Sequence, residues 1–475
     1  MLQHLLIFVL SLVNSQNPAS VPEPGQFNRY RAAPRGSLLS LVPVDYAEFL
    51  PGQRFDISIE MHKVAAGSVP PSMDGLKAVI NGKPLEQHFG KSFQAESWEF
   101  QYHVDAQAMY AKQATNVTVS RFALRSVSIA EPGEYRLQIT LGTEIVEATW
   151  IIREISPRIV QNIVLFIGDG MAPTMMNAAR YLSRKTTFGK FRDNFLNIER
   201  LGSIGKITTN GIDSIVTDSA NSAAAYNTGQ KSWTNNLNVY MDTSPDTLDD
   251  PKVETLAEYI RSNRPGMCIG VVTTAEVQDA TPAAVYAHSR SRDDKASITE
   301  QQINGLKHKN IQWDPKPVVA DVLLGGGGAY FCPPKLADGT ATKSCKSLNG
   351  TDYYKQYQQK GYTVVNSKAA LEAYDGNGPL VGIFHMKHMD SWIDRTAFPE
   401  NMKLNHKKPD GSGESATDLP GLQGMTMKAI QILSDSKKCS DGFFLMSEAA
   451  AVEYHLDNLV SKCMPWTMTD QWASF

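Results

Sequence analysis

From Ser156-Pro157 onward the chain alternates short apolar runs with helix-patterned segments, and this alternation most narrows the fold. NIVLFIG precedes a helical pattern around MMNAARYLSRK, a small-residue helix is expected after Ser219, VETLAEYIRSN feeds MCIGVVTT, and MKAIQILSD feeds GFFLMSE. Apolar strands separated by amphipathic helices predict a mostly parallel sheet covered by helices. In such sheets ligands gather outside the carboxyl ends of the strands. Asp169, the segment Thr273 to Asp279, and Glu448 all fall at such ends.

The preceding stretch has a different texture. RFDISIEMH, LKAVING, NVTVSRFALRSVSI, EYRLQITLG and EIVEATWIIREI alternate or run β-branched between Pro, Gly and Asn turns, which predicts a small β-sandwich-like domain. Met1 to Asn14, MLQHLLIFVLSLVN, is too short an apolar run to span a bilayer and is followed by polar residues. It reads as a secretory signal peptide, with a secreted, cell-surface or periplasmic protein as its consequence. The expected organisation is therefore 1–16 signal peptide, 17–155 β-rich accessory domain and 156–475 helix-covered sheet. A chain of 475 residues with 42% hydrophobic and 20% charged residues can bury more than one core, and a net charge of -3 argues against a nucleic-acid surface. In an oxidising compartment Cys332–Cys345 closes a short loop and Cys439–Cys463 is a second pair, leaving Cys268 as a small buried hydrophobe. Asn116-Val117-Thr118 and Asn349-Gly350-Thr351 fit N-glycosylation acceptors.

The strand ends carry the chemistry. Asp169 lies between Gly168 and Gly170, which let the backbone turn sharply and expose the carboxylate. Ser219 stands at the start of a helix whose free N–H groups favour a dianion, which suits a nucleophile, although Asp218 or Ser219 fits a plain N-cap equally well. Asp279 and Thr281 place two oxygen-bearing side chains in one turn, suited to a hard ion such as Mg²⁺, and Glu448 could complete that set. Arg292 is the candidate for a bidentate phosphate contact, with Arg290 as the alternative. Glu453 and Asp457, four apart on one helical face, are candidates for a further metal site. Gly325 to Gly328 make either a tight turn or an anion cradle. Carboxylates around a serine, with an arginine nearby, are what metal-assisted hydrolysis of a phosphate monoester requires.

The segments IGDGM, TDSANSAAAYNTG, TTAEVQDATPAAVYAHSRSR, DVLLGGG and FFLMSEAA, in this order, resemble the alkaline phosphatase family over about residues 160 to 455. The resemblance implies an α/β fold with a central mostly parallel sheet flanked by helices, a phosphoserine formed on Ser219, and phosphate oxygens held by Arg292. It implies Zn²⁺ and Mg²⁺ as cofactors. Asp169 would bridge the Mg²⁺ site and one Zn²⁺, Thr281 and Glu448 would ligate Mg²⁺, and Asp279 would order its water shell. Small phosphate monoesters would be the substrates and a homodimer the assembly. After the strand-end Glu the family pattern has an Asp and, four residues on, a His; the matching positions here are Glu453 and Asp457. The family's later Asp-His pair and final His have no counterpart in this sequence, so the expectation is a sheet incomplete at its C-terminal side and impaired zinc activation of Ser219. The alternatives are a phosphate- or Mg²⁺-binding protein without turnover, or a surface module acting through its N-terminal β domain.

Overall fold

The structure is a computed structural model and describes residues 39–64, 69–102, 115–183, 195–212, 214–308, 311–335, 339, 342, 344–376, 378–400, 408–411 and 418–452. Its first part is built of β1 (Leu39–Val42), β2 (Glu48–Phe49), β3 (Phe55–Val64), β4 (Lys77–Ile80), β5 (Lys83–Pro84), β6 (Gln94–Tyr102), β7 (Thr115–Val127), β8 (Gly133–Leu141) and β9 (Glu144–Ile152). They form a four-stranded sheet ordered β1-β3-β7-β6 and a five-stranded sheet ordered β2-β9-β8-β4-β5. Period-two burial selects the inner faces. Along β9, Val146, Ala148, Trp150 and Ile152 are buried, and they pack with Ile57, Ile59 and Leu124 of the opposite sheet. The result is the β-sandwich that the alternation predicts. Its core is shared, however, because Trp233, Tyr240 and Val253 from the second part belong to the same cluster. Gln53 Nε2 reinforces the junction by donating to the carbonyls of Thr228 at 3.0 Å and Glu254 at 2.9 Å.

The second part holds β10 (Ile163–Gly168), β11 (Cys268–Glu276), β12 (Val322–Gly326), β13 (Thr363–Val365), β14 (Leu380–Ile383) and β15 (Phe443–Ala449). They form one sheet ordered β10-β15-β11-β12-β14-β13, parallel at every pairing. Helices cover both faces. β11 is buried along its whole length, with Ile269 and Val271 facing the helices that carry Ala220, Ala257 and Ile298, and with Cys268 and Val272 facing the Leu422–Asp435 helix. A near-continuous apolar run is what a parallel strand covered on both sides demands. The Leu256–Asn263 helix begins on a capping box: Thr255 Oγ1 accepts from the Glu258 N–H, and the Glu258 carboxylate accepts from the Thr255 N–H at 2.9 Å. From β11 the chain moves outward to β12, β13 and β14, then returns as β15 between β10 and β11. That reversal opens a crevice at the carboxyl ends of β10, β15 and β11. Register places Glu448 beside both Ile167 and Thr273 there.

The disulfides differ in part from expectation. Cys332–Cys345 forms, but Cys439 pairs with Cys268, at a Cα–Cα distance of 5.1 Å. The cause is strand register: Cys268 starts β11 beside Phe443 at the start of β15, and Cys439 lies in the turn that leads into that strand. Cys463, the 1–16 segment, Glu453 and Asp457 lie outside the described residues. Among the described residues no helix is long and apolar enough to cross a membrane.

The Cys268–Cys439 bond spans a sequence separation of 171 residues, so the chain-entropy model assigns it a large effect on the unfolded state. Replacing both cysteines by alanine is expected to cost about 2–5 kcal/mol. Urea unfolding of the non-reduced proteins checks this, and an unchanged midpoint would contradict it.

Candidate functional site

Asp169 follows β10 directly. Its N–H donates to the Ala449 carbonyl at 3.0 Å, and Gly170 takes φ +67°, so the backbone turns immediately beyond the carboxylate. Asp218, rather than Ser219, is the N-cap of the Ser219–Thr228 helix, accepting from the N–H groups of Asn221 at 3.1 Å and Ala220 at 3.3 Å. The Ser219 hydroxyl is thereby left for other partners. Arg292 Nη1 donates to Ser219 Oγ at 2.9 Å and to Asp218 Oδ2 at 3.2 Å, while Nη2 donates to Asp279 Oδ1 at 3.0 Å. The Ser219 side chain is also hydrogen-bonded to Asp169. Because Arg292 can only donate, the Ser219 proton is directed at the Asp169 carboxylate.

Glu448 is 1% exposed and accepts from Thr273 Oγ1, with Thr281 as a second side-chain partner. Burial pushes its carboxyl up to about 8, and the charges of Asp169 and Asp279 add to the rise against the two threonine bonds. Asp169 is raised as well, by burial first, although Arg292 and Ser219 pull it down. Asp279 goes the other way. Burial opposes its ionisation, but Arg292, Lys295 and His388 outweigh burial and hold it at about 2. Arg292 is raised above its ordinary value: burial works against its charge, and Asp279 and Asp218 prevail.

Hydrogen bonds link Ser219, Arg292, Asp169 and Asp279, and Glu448, bonded to Thr281, lies near enough to feel the charges of Asp169 and Asp279. Arg290 is excluded from it. Its guanidinium is engaged by Asp250 at 3.0 Å and Asp242 at 2.8 Å, away from Ser219. Gly325 and Gly326 end β12 and Gly327 and Gly328 turn out of it, all four closely packed. A Cβ on Gly326 would lie 2.0 Å from the Lys387 carbonyl, and the Gly327 N–H is spent on the carbonyls of His385 and Lys387.

Three contributors escaped the sequence reading. Tyr226, two turns beyond Ser219, bonds Thr281, and burial of its hydroxyl followed by the charges of Glu448 and Asp169 keeps it protonated. Lys295 pairs with Glu276 at 2.6 Å and helps hold Asp279 ionised. His388 accepts the Glu276 N–H on Nδ1 at 3.2 Å and turns Nε2 toward Asp279 Oδ2 at 3.6 Å. The available signal for His388 was its place just after VGIF, at the carboxyl end of another strand.

The donor set Asp169, Thr281 and Glu448 is all oxygen and carries mutually repelling carboxyls, which fits a hard cation such as Mg²⁺. Of the residues that the family resemblance assigns to zinc, Asp169 and Ser219 are among the described residues and Glu453 and Asp457 are not.

A family model described as alkaline phosphatase matches residues 160–464, and one described as PhoA-like N-terminal domain matches residues 38–153. Alkaline phosphatase H of Pseudomonas aeruginosa (strain UCBPP-PA14) is 30% identical over 331 residues, covering 66% of this chain and 63% of its own. Alkaline phosphatase of Escherichia coli (strain K12) is 30% identical over 339 residues, covering 65% of this chain and 64% of its own. The crystal structure of Thermus thermophilus alkaline phosphatase superimposes with a TM-score of 0.48 at 24% identity, over 67% of this chain and 55% of that one. The chain thus spans a little under two thirds of the length of these two curated relatives.

The raised Glu448 carboxyl gives a pH signature in metal-free protein. A folded value of about 8 above an unfolded value of 4.5 means that the native state holds a proton that the unfolded state has lost between these limits. Its contribution to stability is full below pH 4.5 and disappears as pH rises through about 8. Glu448→Gln should therefore flatten the fall of stability between pH 5 and 8, by up to about 1.4 kcal/mol per pH unit. Parallel denaturation curves for the two proteins across that range would contradict the assignment.

Proposed function

Because this chain belongs to the alkaline phosphatase family, we propose that it hydrolyses phosphate monoesters by way of a phosphoserine at Ser219. The observation that carries this is the placement of Ser219 Oγ between a donor, Arg292 Nη1 at 2.9 Å, and an acceptor, the Asp169 carboxylate. Oγ forms the new bond to phosphorus as the bond from phosphorus to the ester oxygen breaks, that oxygen leaves as the alcohol with a proton from water, and a second water then cleaves the Ser219 ester to return the hydroxyl and free phosphate. Arg292 turns its fork from Ser219 and Asp279 onto two phosphoryl oxygens, a match of planar donors to a tetrahedral anion that a lysine cannot reproduce. Asp169, with its raised carboxyl, takes up the proton that Oγ gives up. Tyr226 and Thr273 keep Thr281 and Glu448 in place. A divalent cation held by Asp169, Thr281 and Glu448 would supply positive charge against the transferring phosphoryl group. Asp279 would order the water around that cation, with His388 and Lys295 fixing its charge. The expected Zn²⁺, held in part by Glu453 and Asp457, stays part of the proposal for residues outside those described. The two disulfides support an oxidising compartment, in keeping with export.

Ser219→Ala should reduce phosphate release from a small aryl phosphate in Mg²⁺ and Zn²⁺ to the uncatalysed background, and release at the parent rate would remove Ser219 from the mechanism. Arg292→Lys, which keeps the charge and loses the fork, should lower kcat/KM by 10-fold or more, that is ~1.4 kcal/mol of transition-state stabilisation.

A further inference from the structure

Arg292 reaches Ser219 from a backbone segment that is held from outside the site. Its own N–H donates to the Asn235 carbonyl at 2.9 Å, and Asn235, in the left-handed conformation at φ +69°, gives its N–H to Asp218 Oδ1 at 3.2 Å. Ser289 pairs with Leu237 in an antiparallel bridge. Between these anchors the Arg290 side chain turns away into the loop 242–250. Nε meets both oxygens of Asp250 at 3.0 and 3.1 Å, Nη2 meets Asp242 Oδ1 at 2.8 Å, and the carbonyls of Ser244 and Asp246 accept at 2.7 Å each.

The same loop is gripped from its other side by the N-terminal sandwich. Arg121 of β7, 1% exposed, bonds Asp242 Oδ2, Asp249 at 2.6 Å and Glu96 of β6. Trp98 of β6 lies under that guanidinium, 4.8 Å from ring to carbon, and donates Nε1 to Thr243 at 2.9 Å. Asp242 is shared, one oxygen to each arginine. Asp242, Asp249 and Asp250 come within 4.8 Å of one another, as cation ligands do, but two guanidinium groups engage their oxygens and the cluster is an ionic joint.

We propose that the N-terminal sandwich is part of the phosphate-holding apparatus, with Arg121 a positioning residue that fixes the direction of the Arg292 fork through Asp242 and Arg290. This rests on the reading that Arg292 holds phosphate. Each guanidinium is held by two or more carboxylates at once, which fixes its angle as well as its distance, so the chain through Asp242 transmits position where apolar contact would transmit only proximity. A displacement of about 1 Å at a substrate-holding group is enough for a rate loss on the order of 100-fold.

The test uses the full chain and two variants. Arg121→Lys keeps the charge and loses the fork; Thr243→Val removes only the Trp98 bond. Inorganic phosphate is titrated calorimetrically in Mg²⁺ at a temperature where melting curves show each protein native, and amide hydrogen exchange is followed over residues 286–294. Arg121→Lys is expected to weaken phosphate binding about 10-fold and to speed exchange in that segment, with the Leu422–Asp435 helix across the sheet unchanged. Thr243→Val should do the same to a smaller degree. Folded variants with parent affinity and parent exchange overturn the proposal. So does exchange accelerated equally throughout the molecule, since that reports global stability alone. Absence of phosphate binding in the parent protein defeats the site reading instead, and the exchange result then decides the joint by itself. If Arg121→Lys does not fold, Thr243→Val carries the same comparison.

Discussion

The Arg292 guanidinium lies between Ser219, Asp218 and Asp279, and the ionisation of the surrounding carboxyls follows from that position. Asp279 is close enough to stay charged in a buried setting. Asp169 is relieved in part, and Glu448, bonded to threonines instead, keeps its proton to about pH 8. Burial raises all three acids, and the positive groups beside Asp279 and Asp169 set them apart from Glu448, the ordinary way in which like residues acquire unlike roles. The same guanidinium sets the hydrogen-bond direction at Ser219. Without a committed donor on Oγ, the hydroxyl could rotate, and its proton would have no fixed acceptor.

Such an arrangement needs a scaffold that does not yield. The parallel sheet provides it on one side, because Asp169, Thr273 and Glu448 stand at adjacent strand ends whose register is fixed by buried rows of side chains. The helix that starts at Ser219 provides it on another, with Ala220, Ala223 and Ala224 small enough to let it pack closely onto Ala280 and Ala283. The N-terminal sandwich, which shares its core with Trp233, Tyr240 and Val253, supports the segment from which Arg292 projects.

Much of this was legible in the sequence because it depends on local periodicity. Alternation in EIVEATWII marked a sandwich strand, and unbroken apolarity in CIGVVTT marked a strand covered on both faces. Strand ends then pointed to Asp169 and Glu448, and the family likeness pointed to Ser219, Thr281, Asp279 and Arg292. What escaped depends on register and on contacts distant in sequence. Cys268 reads as a core hydrophobe until β15 is laid beside β11, which brings Cys439 over it. Arg290 and Arg292 are equivalent as letters, and only the bend and turn of the backbone at 290–293 sends one to Asp250 and the other to Ser219. His388 has only its strand-end position as a signal, since its place beside Asp279 depends on Gly326 admitting the Lys387 backbone at close contact.

The order in which the strands are made differs from the order in which they lie. β15 is the latest strand of the sheet in sequence, yet it lies between β10 and β11. While a ribosome extends the chain, β10 and the β11–β12–β14–β13 group have no common neighbour, and their facing edges wait with unmet backbone groups until residues 443–449 emerge. Glu448 arrives on that same strand, so the crevice at the strand ends and the sheet are completed in one late event. Between the emergence of β14 and that of β15, nascent chains of this topology hold β10 and a four-stranded group apart with open edges, an interval in which chaperones and proteases have much to act upon.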